Sequence, residues 1–157
     1  MAGDFEDIDA MGMSARRENR AAAVQYIYMC CMNKRPHSPE SASEFFFFKP
    51  RDRSFYAFAE ELIAGVFANL GEIDSKIAEV AENWSIDRIS RVDLAILRVA
   101  VFEMLHRGDI PCVVSINEAI DLSKMFSGPE SKRFINGVLD RIKDSAPEKP
   151  SVTRRPR

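Results

Sequence analysis

A chain of 157 residues with 46% hydrophobic side chains holds enough apolar surface for one domain with a real core. No apolar run approaches the ~18 residues of a membrane span, and the acidic start MAGDFEDIDA is the reverse of a secretory leader. The net charge of −2 taken alone argues against a nucleic-acid binder, yet Asp4, Glu6, Asp7 and Asp9 crowd one end and Arg154, Arg155 and Arg157 the other. Local clusters therefore have to be weighed singly. Cys30 and Cys31 are adjacent and diverge on a helix, no C-x-x-C pair occurs, and His37 and His106 lie far apart. Neither a disulfide framework nor a structural zinc is expected, and a reducing cytoplasm fits.

In chain order, residues 1–13 read as a flexible acidic leader. Ser14 opens a helix running to about Met32, with Val24, Ile27, Tyr28 and Cys31 on one face, and Asn33-Lys34-Arg35-Pro36 ends it. Traced back toward the N-terminus, that face leads to Arg20 and Arg17, with Arg16 beside them. The first turns are thus expected to overhang the core and offer arginines to solvent or to an anionic partner at the positive helix end. His37-Ser-Pro-Glu40 is a linker, and Ser41-Ala-Ser-Glu44 matches a capping box introducing a short helix through Phe45–Phe48. Four consecutive phenylalanines cannot all face one core; burial of most of them, with one or two at a contact, is the expectation.

Arg53–Leu70 reads as a long amphipathic helix, broken or bent at Gly71, with a further helix to Asn83 carrying Ile73, Ile77, Val80 and Ala81. Trp84 starts a tight connector and is expected to plug the junction of two halves. Ser90-Arg-Val-Asp93 then caps the central helix, apolar nearly all round, whose charged Asp93, Arg98 and Glu103 are spread about its circumference. Gly108 stands where a C′ glycine would, and Asp109-Ile-Pro111 makes the turn. Ser115-Ile-Asn-Glu118 matches a third capping box, followed by an outward stripe of Asn117, Asp121 and Lys124. Ser127-Gly-Pro129 starts the last helix, with Phe134, Ile135, Val138, Leu139 and Ile142 facing inward. Gly137, unfavourable inside a helix, suggests a close helix contact. The ordered domain spans 14–146 and a basic tail 147–157 follows. No strand pattern and no repeat is present.

No phosphate-binding glycine loop, H-E-x-x-H or supported Ser/His/Asp set occurs, and two histidines leave little general-base capacity. No enzyme, cofactor or metal is expected, and a binding module is the default. At this point the residues resemble a family. NWSIDRISRVDLAILRVAVFEML, IPCVVSINEAIDLSKMF and SKRFINGVLDRI, with Arg16-Arg-x-x-Arg20, Ala23-Val-Gln25 and Leu62-Ile-Ala-Gly-Val66, closely resemble NusB over about residues 16–143.

That resemblance implies an all-α fold of about seven helices in two small packed bundles. It implies a cytoplasmic bacterial antitermination factor that binds single-stranded boxA RNA of ribosomal-RNA leader transcripts with the small-subunit ribosomal protein doubling as NusE. The complex keeps RNA polymerase processive. The family's RNA surface falls here on Arg16, Arg17 and Arg20 and on Glu130, Ser131, Arg133 and Phe134, with Asn136 one turn on; Asp93 falls near RNA and protein partner. Phe134 as core, Asp93 as a helix cap, and Asn136 packed on the central helix are the structural alternatives. The sequence departs from the family at Ala21, where an acidic residue is frequent, and at Glu18, where many relatives are basic. A helical protein-interaction module or homodimer with incidental RNA binding is the alternative function.

Overall fold

Ser14 turns an extended backbone into a helix: its hydroxyl accepts from the Arg17 amide at 3.1 Å, and α1 (Ala15–Met32) follows. The computed structural model describes residues 14–81 and 85–149. The expected leader, the Trp84 plug and residues 150–157 of the expected tail lie outside them. α1 closes on Lys34 at φ 50°, with the Arg35 amide donating to the Cys30 carbonyl at 3.0 Å and the Lys34 amide to Cys31 at 3.4 Å. This is the doubly bonded Schellman end, with a lysine where glycine is usual.

The order continues through α2 (Pro39–Phe47), a 3-10 turn at Arg53–Tyr56, α3 (Ala57–Ala68) and α4 (Leu70–Val80). A second 3-10 turn (Ile86–Arg88), α5 (Arg91–His106), α6 (Cys112–Phe126) and α7 (Pro129–Ser145) complete it, with no β-strand among the described residues. α5 is the hub. α1 and α3 pack on it and on each other to form one bundle; α4, α6 and α7 pack on it as the second, α4 and α6 each also meeting α7. Leu94–Leu97 and Val99–Met104 are all buried, so the helix meets neighbours around most of its girth. At about 1.5–3 kcal/mol for each large aliphatic side chain, this helix supplies much of the driving force.

Its three interior charges each fasten a different neighbour. Asp93 accepts from the hydroxyls of Ser127 and Ser131, both at 2.9 Å, holding the α6–α7 turn. Arg98 forks onto Asp74 of α4 with two bonds of 2.9 Å. Glu103 takes Arg20 of α1 at 2.8 and 3.0 Å and Ser115 of α6 at 2.9 Å. A buried charge needs a countercharge or hydrogen bonds: Arg98 and Glu103 have ion-pair partners, and Asp93 is held by two serine hydroxyls.

Several expectations fail for local reasons. α2 is capped by Ser38, whose hydroxyl accepts from the Ser41 amide at 3.1 Å, with Pro39 at the first helical position; Ser41 is already inside and buried. α6 likewise begins one turn before its supposed capping box, so Ser115 sits within the helix, on Glu103. The α3–α4 break falls at Asn69, and Gly71 lies inside α4. Gly108 does not adopt the left-handed conformation of a C′ glycine. Gly137 is exposed with nothing within 4 Å of where a Cβ would stand, so it marks no helix contact. The close approach is at Gly65 of α3, where a Cβ would fall 2.0 Å from Cζ of Phe102 on α5. Of the phenylalanine run, Phe46 is buried and Phe45 packs against the core, while Phe47 and Phe48 are each 80% exposed.

Candidate nucleic-acid interface

The arginines that open α1 divide by depth. Arg16 is exposed, its guanidinium carbon 4.2 Å above the Phe58 ring centre. Arg17, one-third exposed, bridges to α6: Nε and Nη2 donate to Glu118 at 3.0 and 3.1 Å, and Nη2 donates to Asp121 at 2.8 Å. Arg20 is 4% exposed and turned inward onto Glu103. The first turns of α1 therefore do not overhang the core as expected. α3 supplies Phe58 and α6 supplies carboxylates beneath them, and only Arg16 and part of Arg17 face outward. Glu118, read from sequence as a cap, is an ion-pair partner, and Asp121 of the outward stripe is its companion. Arg107 also approaches Phe58, at 5.5 Å, while its guanidinium donates to Glu61 at 2.8 Å and to Asp109 at 2.9 Å. Hydrogen bonding from Arg107 holds the Asp109 carboxyl down at about 2.

The second part of the site is a cleft of about 250 Å³ between the start of α5 and the start of α7. Arg88, Ile89 and Ser90 form one wall, Glu130, Ser131 and Phe134 the other, and Asp93 the floor. Asp93 is 7% exposed. Ser90 caps α5 through the Asp93 amide at 3.1 Å, which leaves the Asp93 carboxylate for Ser127 and Ser131. Cap position and side-chain contact thus coexist in one residue. Phe134 is half-buried, packed against the core on one side and lining the cleft on the other. Glu130 and Arg133 are exposed at the rim, and Asn136 is half-buried one turn beyond.

The sequence assignment thus gathers Asp93, Glu130, Ser131 and Phe134 in one cleft, with Arg133 and Asn136 on the same helix. It places Arg16 and Arg17 apart from them, across α6. Arg88 and Ser90 line the cleft and Ser127 holds the Asp93 carboxylate at its floor, and all three were missed as site residues. Their signal was proximity in sequence to the Ser90 cap and to the Ser127-Gly-Pro turn. α6 ties the two parts together, because Asp121 holds Arg17 and Ser127, just past the helix end, holds Asp93. Six residues at 1.5 Å rise put those two anchors about 9 Å apart along the axis. Chemically, the arrangement offers guanidinium forks and a positive helix end for phosphates. It also offers a ring and hydrogen-bonding edges for a base. Among the described residues no group of three or more His, Cys, Asp or Glu is placed to hold a metal ion, and no helix is long and apolar enough to cross a membrane.

Comparison with known proteins gives a consistent result. A model described as the NusB family matches residues 17–144. The chain is 44% identical over 150 residues to the transcription antitermination protein NusB of Geotalea uraniireducens, covering 87% of this chain and 99% of that protein. It is 41% identical over 137 residues to the Geobacter sulfurreducens protein of the same name, with the same two shares, 87% and 99%. Among solved structures, T. maritima NusB superposes with a TM-score of 0.76 at 33% identity, over 83% of this chain and 92% of that one. A crystal structure of antitermination factors NusB and NusE in complex with dsRNA gives 0.74 at 25% identity, over 83% and 97%.

Proposed function

This chain belongs to the NusB family, and we infer from that membership and from the site that it is a transcription antitermination factor. It binds the boxA element of ribosomal-RNA leader transcripts together with the ribosomal protein that doubles as NusE, and the complex keeps RNA polymerase processive. It acts in the cytoplasm, by binding and without catalysis. What carries this reading is that the Arg16–Arg17 end of α1 and the Asp93–Phe134 cleft are fastened to one helix, α6, within the reach of one short strand.

Each residue has a role that its position allows. Arg16 and Arg17 meet phosphates, aided by the positive N-terminal end of the α1 dipole. Arg20 lies beneath them and holds α1 to α5. In the cleft, Phe134 offers its outer side for stacking on an unstacked base, and Asp93, Glu130, Ser131 and Asn136 offer acceptors and donors to its edge. Arg133 at the rim meets the backbone. The cleft favours a single strand, since a duplex keeps its bases stacked and out of reach of such a ring. Asp93 and the α6–α7 turn that it holds are also the surface proposed for the protein partner.

The test is Arg16→Ala/Arg17→Ala. Both side chains reach solvent, so helical circular dichroism should be unchanged, while boxA RNA affinity falls and the salt slope shrinks by roughly one for each phosphate no longer neutralised. Unchanged affinity in the folded variant removes the arginines from the interface.

A further inference from the structure

The exposed end of α2 is the feature that the family function leaves without a role. Phe47 and Phe48 are each 80% exposed, packed edge to face at 5.2 Å, with Met32 52% exposed on the neighbouring helix end. They are not loosely held. Ser38 caps α2, Phe46 is buried against Tyr56 at 5.2 Å, and Phe45 packs on Tyr26 at 5.3 Å. Two anchored phenylalanines thus present two others to solvent, and exposed apolar surface of this kind marks a contact.

Two observations say what covers it. First, cationic side chains ring the patch: Lys34, Arg35, Lys49, Arg51 and Arg53, of which Arg35, Arg51 and Arg53 are held by Glu44, Glu18 and Glu60. Second, the patch continues the proposed RNA surface along α1. Arg51 donates to Glu18, the neighbour of Arg17, at 3.4 Å, and Lys49 donates to Gln25 two turns on. From Arg17 to Gln25 is about 12 Å along the helix. A stacked strand covers that in three to four nucleotides at about 3.4 Å each. Aromatic faces beside guanidinium groups, as Arg51 lies beside Phe55 and Arg53 beside Phe46, are the chemistry of sequence-tolerant single-strand binding.

We propose that Phe47 and Phe48 form a stacking platform for single-stranded RNA flanking the boxA segment, extending the interface from α1 onto α2. This rests on the RNA-binding reading above and adds a second site to it. The platform selects for unpaired, flexible flanking nucleotides and not for their sequence, because every base has a face to stack.

The test measures fluorescence anisotropy with two RNAs: a short boxA oligonucleotide, and the same RNA carrying an unstructured eight-adenosine extension at either end. Proteins are wild type, Phe47→Leu/Phe48→Leu, and Phe47→Tyr/Phe48→Tyr. The wild type should bind the extended RNA about tenfold tighter than the short one at one of the two ends. The leucine variant, still apolar, should lose that gain while binding short boxA as before; the tyrosine variant should keep it. No gain on extension, or a gain that survives in the leucine variant, overturns the platform and leaves the boxA reading intact. Failure of the wild type to bind short boxA refutes the RNA reading itself and this proposal with it. Sedimentation showing a wild-type dimer that the leucine variant dissolves, or a loss of binding confined to anionic phosphatidylserine vesicles, with the extension gain unmoved, assigns the patch elsewhere and overturns it as well.

Discussion

Replacing Arg20 by alanine should unfold much of what holds the two bundles together, although the residue sits in a run of arginines that reads as a nucleic-acid grip. Its guanidinium is bonded twice to Glu103, at 2.8 and 3.0 Å, and the partners are 4% and 1% exposed. Removing one member of a buried pair leaves the other charged and desolvated, which costs about 3–5 kcal/mol. Ser115 stays on Glu103 but supplies a single neutral hydrogen bond. Against a domain stability of about 5–15 kcal/mol this is a large fraction. With a urea m-value of about 2 kcal/mol/M, the denaturation midpoint should fall by roughly 2 M. Arg17→Ala, which removes a one-third-exposed ion pair, should cost no more than about 1 kcal/mol. The assay is urea denaturation followed by circular dichroism, with RNA anisotropy repeated under conditions where Arg20→Ala is fully folded. A midpoint shift below about 0.5 M, or abolished RNA binding with an unchanged midpoint, would refute the assignment of Arg20 to the interior. A double substitution at Arg17 and Arg20 confuses the two roles and should not be used alone to map the RNA surface.

Gly65→Ala should destabilise by about 1–3 kcal/mol because its Cβ would displace the Phe102 ring. Gly137→Ala, in an open helical position, should stabilise by about 1 kcal/mol; melting shifts of the same sign for both contradict the packing described. Burial pushes the His37 imidazole below its ordinary range, where its Nδ1 lies 2.7 Å from the Tyr26 hydroxyl. The unfolded chain therefore binds more protons just below pH ~6.5, so stability is highest above that pH and declines as pH falls toward the folded pKa. His37→Phe should flatten the melting temperature across that window, and a wild-type value already flat there contradicts this. Asp93→Ala should cost about 2 kcal/mol by releasing Ser127 and Ser131. It should weaken RNA binding at an unchanged salt slope, since a carboxylate grips no phosphate, and a reduced slope would place Asp93 elsewhere.

The hub helix was legible because fifteen or so residues of nearly unbroken apolarity admit few other readings, and Ser14 and Ser90 marked true starts. Ser41 and Ser115 misled because a capping box is a local pattern, whereas Pro39, first residue of α2, and Pro111, just before α6, mark where each helix begins. Gly137 and Gly65 show the limit of composition: both are helical glycines, and only the three-dimensional approach of Phe102 gives one of them a reason. The division of labour among the arginines was not legible. A charged Glu103 inside a helix buried around most of its girth demands a partner, yet from sequence Arg20 groups with Arg16 and Arg17 on the outward surface. The identity of that partner was not accessible, since Arg20 lies 83 residues away. The cleft lining from Arg88 to Ser90 was hidden because a connector carries no periodicity.

The central claim is selective RNA recognition shared with a protein partner. Its most direct test is fluorescence anisotropy with a short single-stranded boxA RNA, a base-scrambled control and a boxA duplex, each with and without the ribosomal protein that doubles as NusE. The account predicts that the single-stranded boxA RNA binds more tightly than either control and that the partner strengthens it further. Equal, weak binding to all three RNAs, unmoved by the partner, would contradict it and leave a helical protein-interaction module in its place.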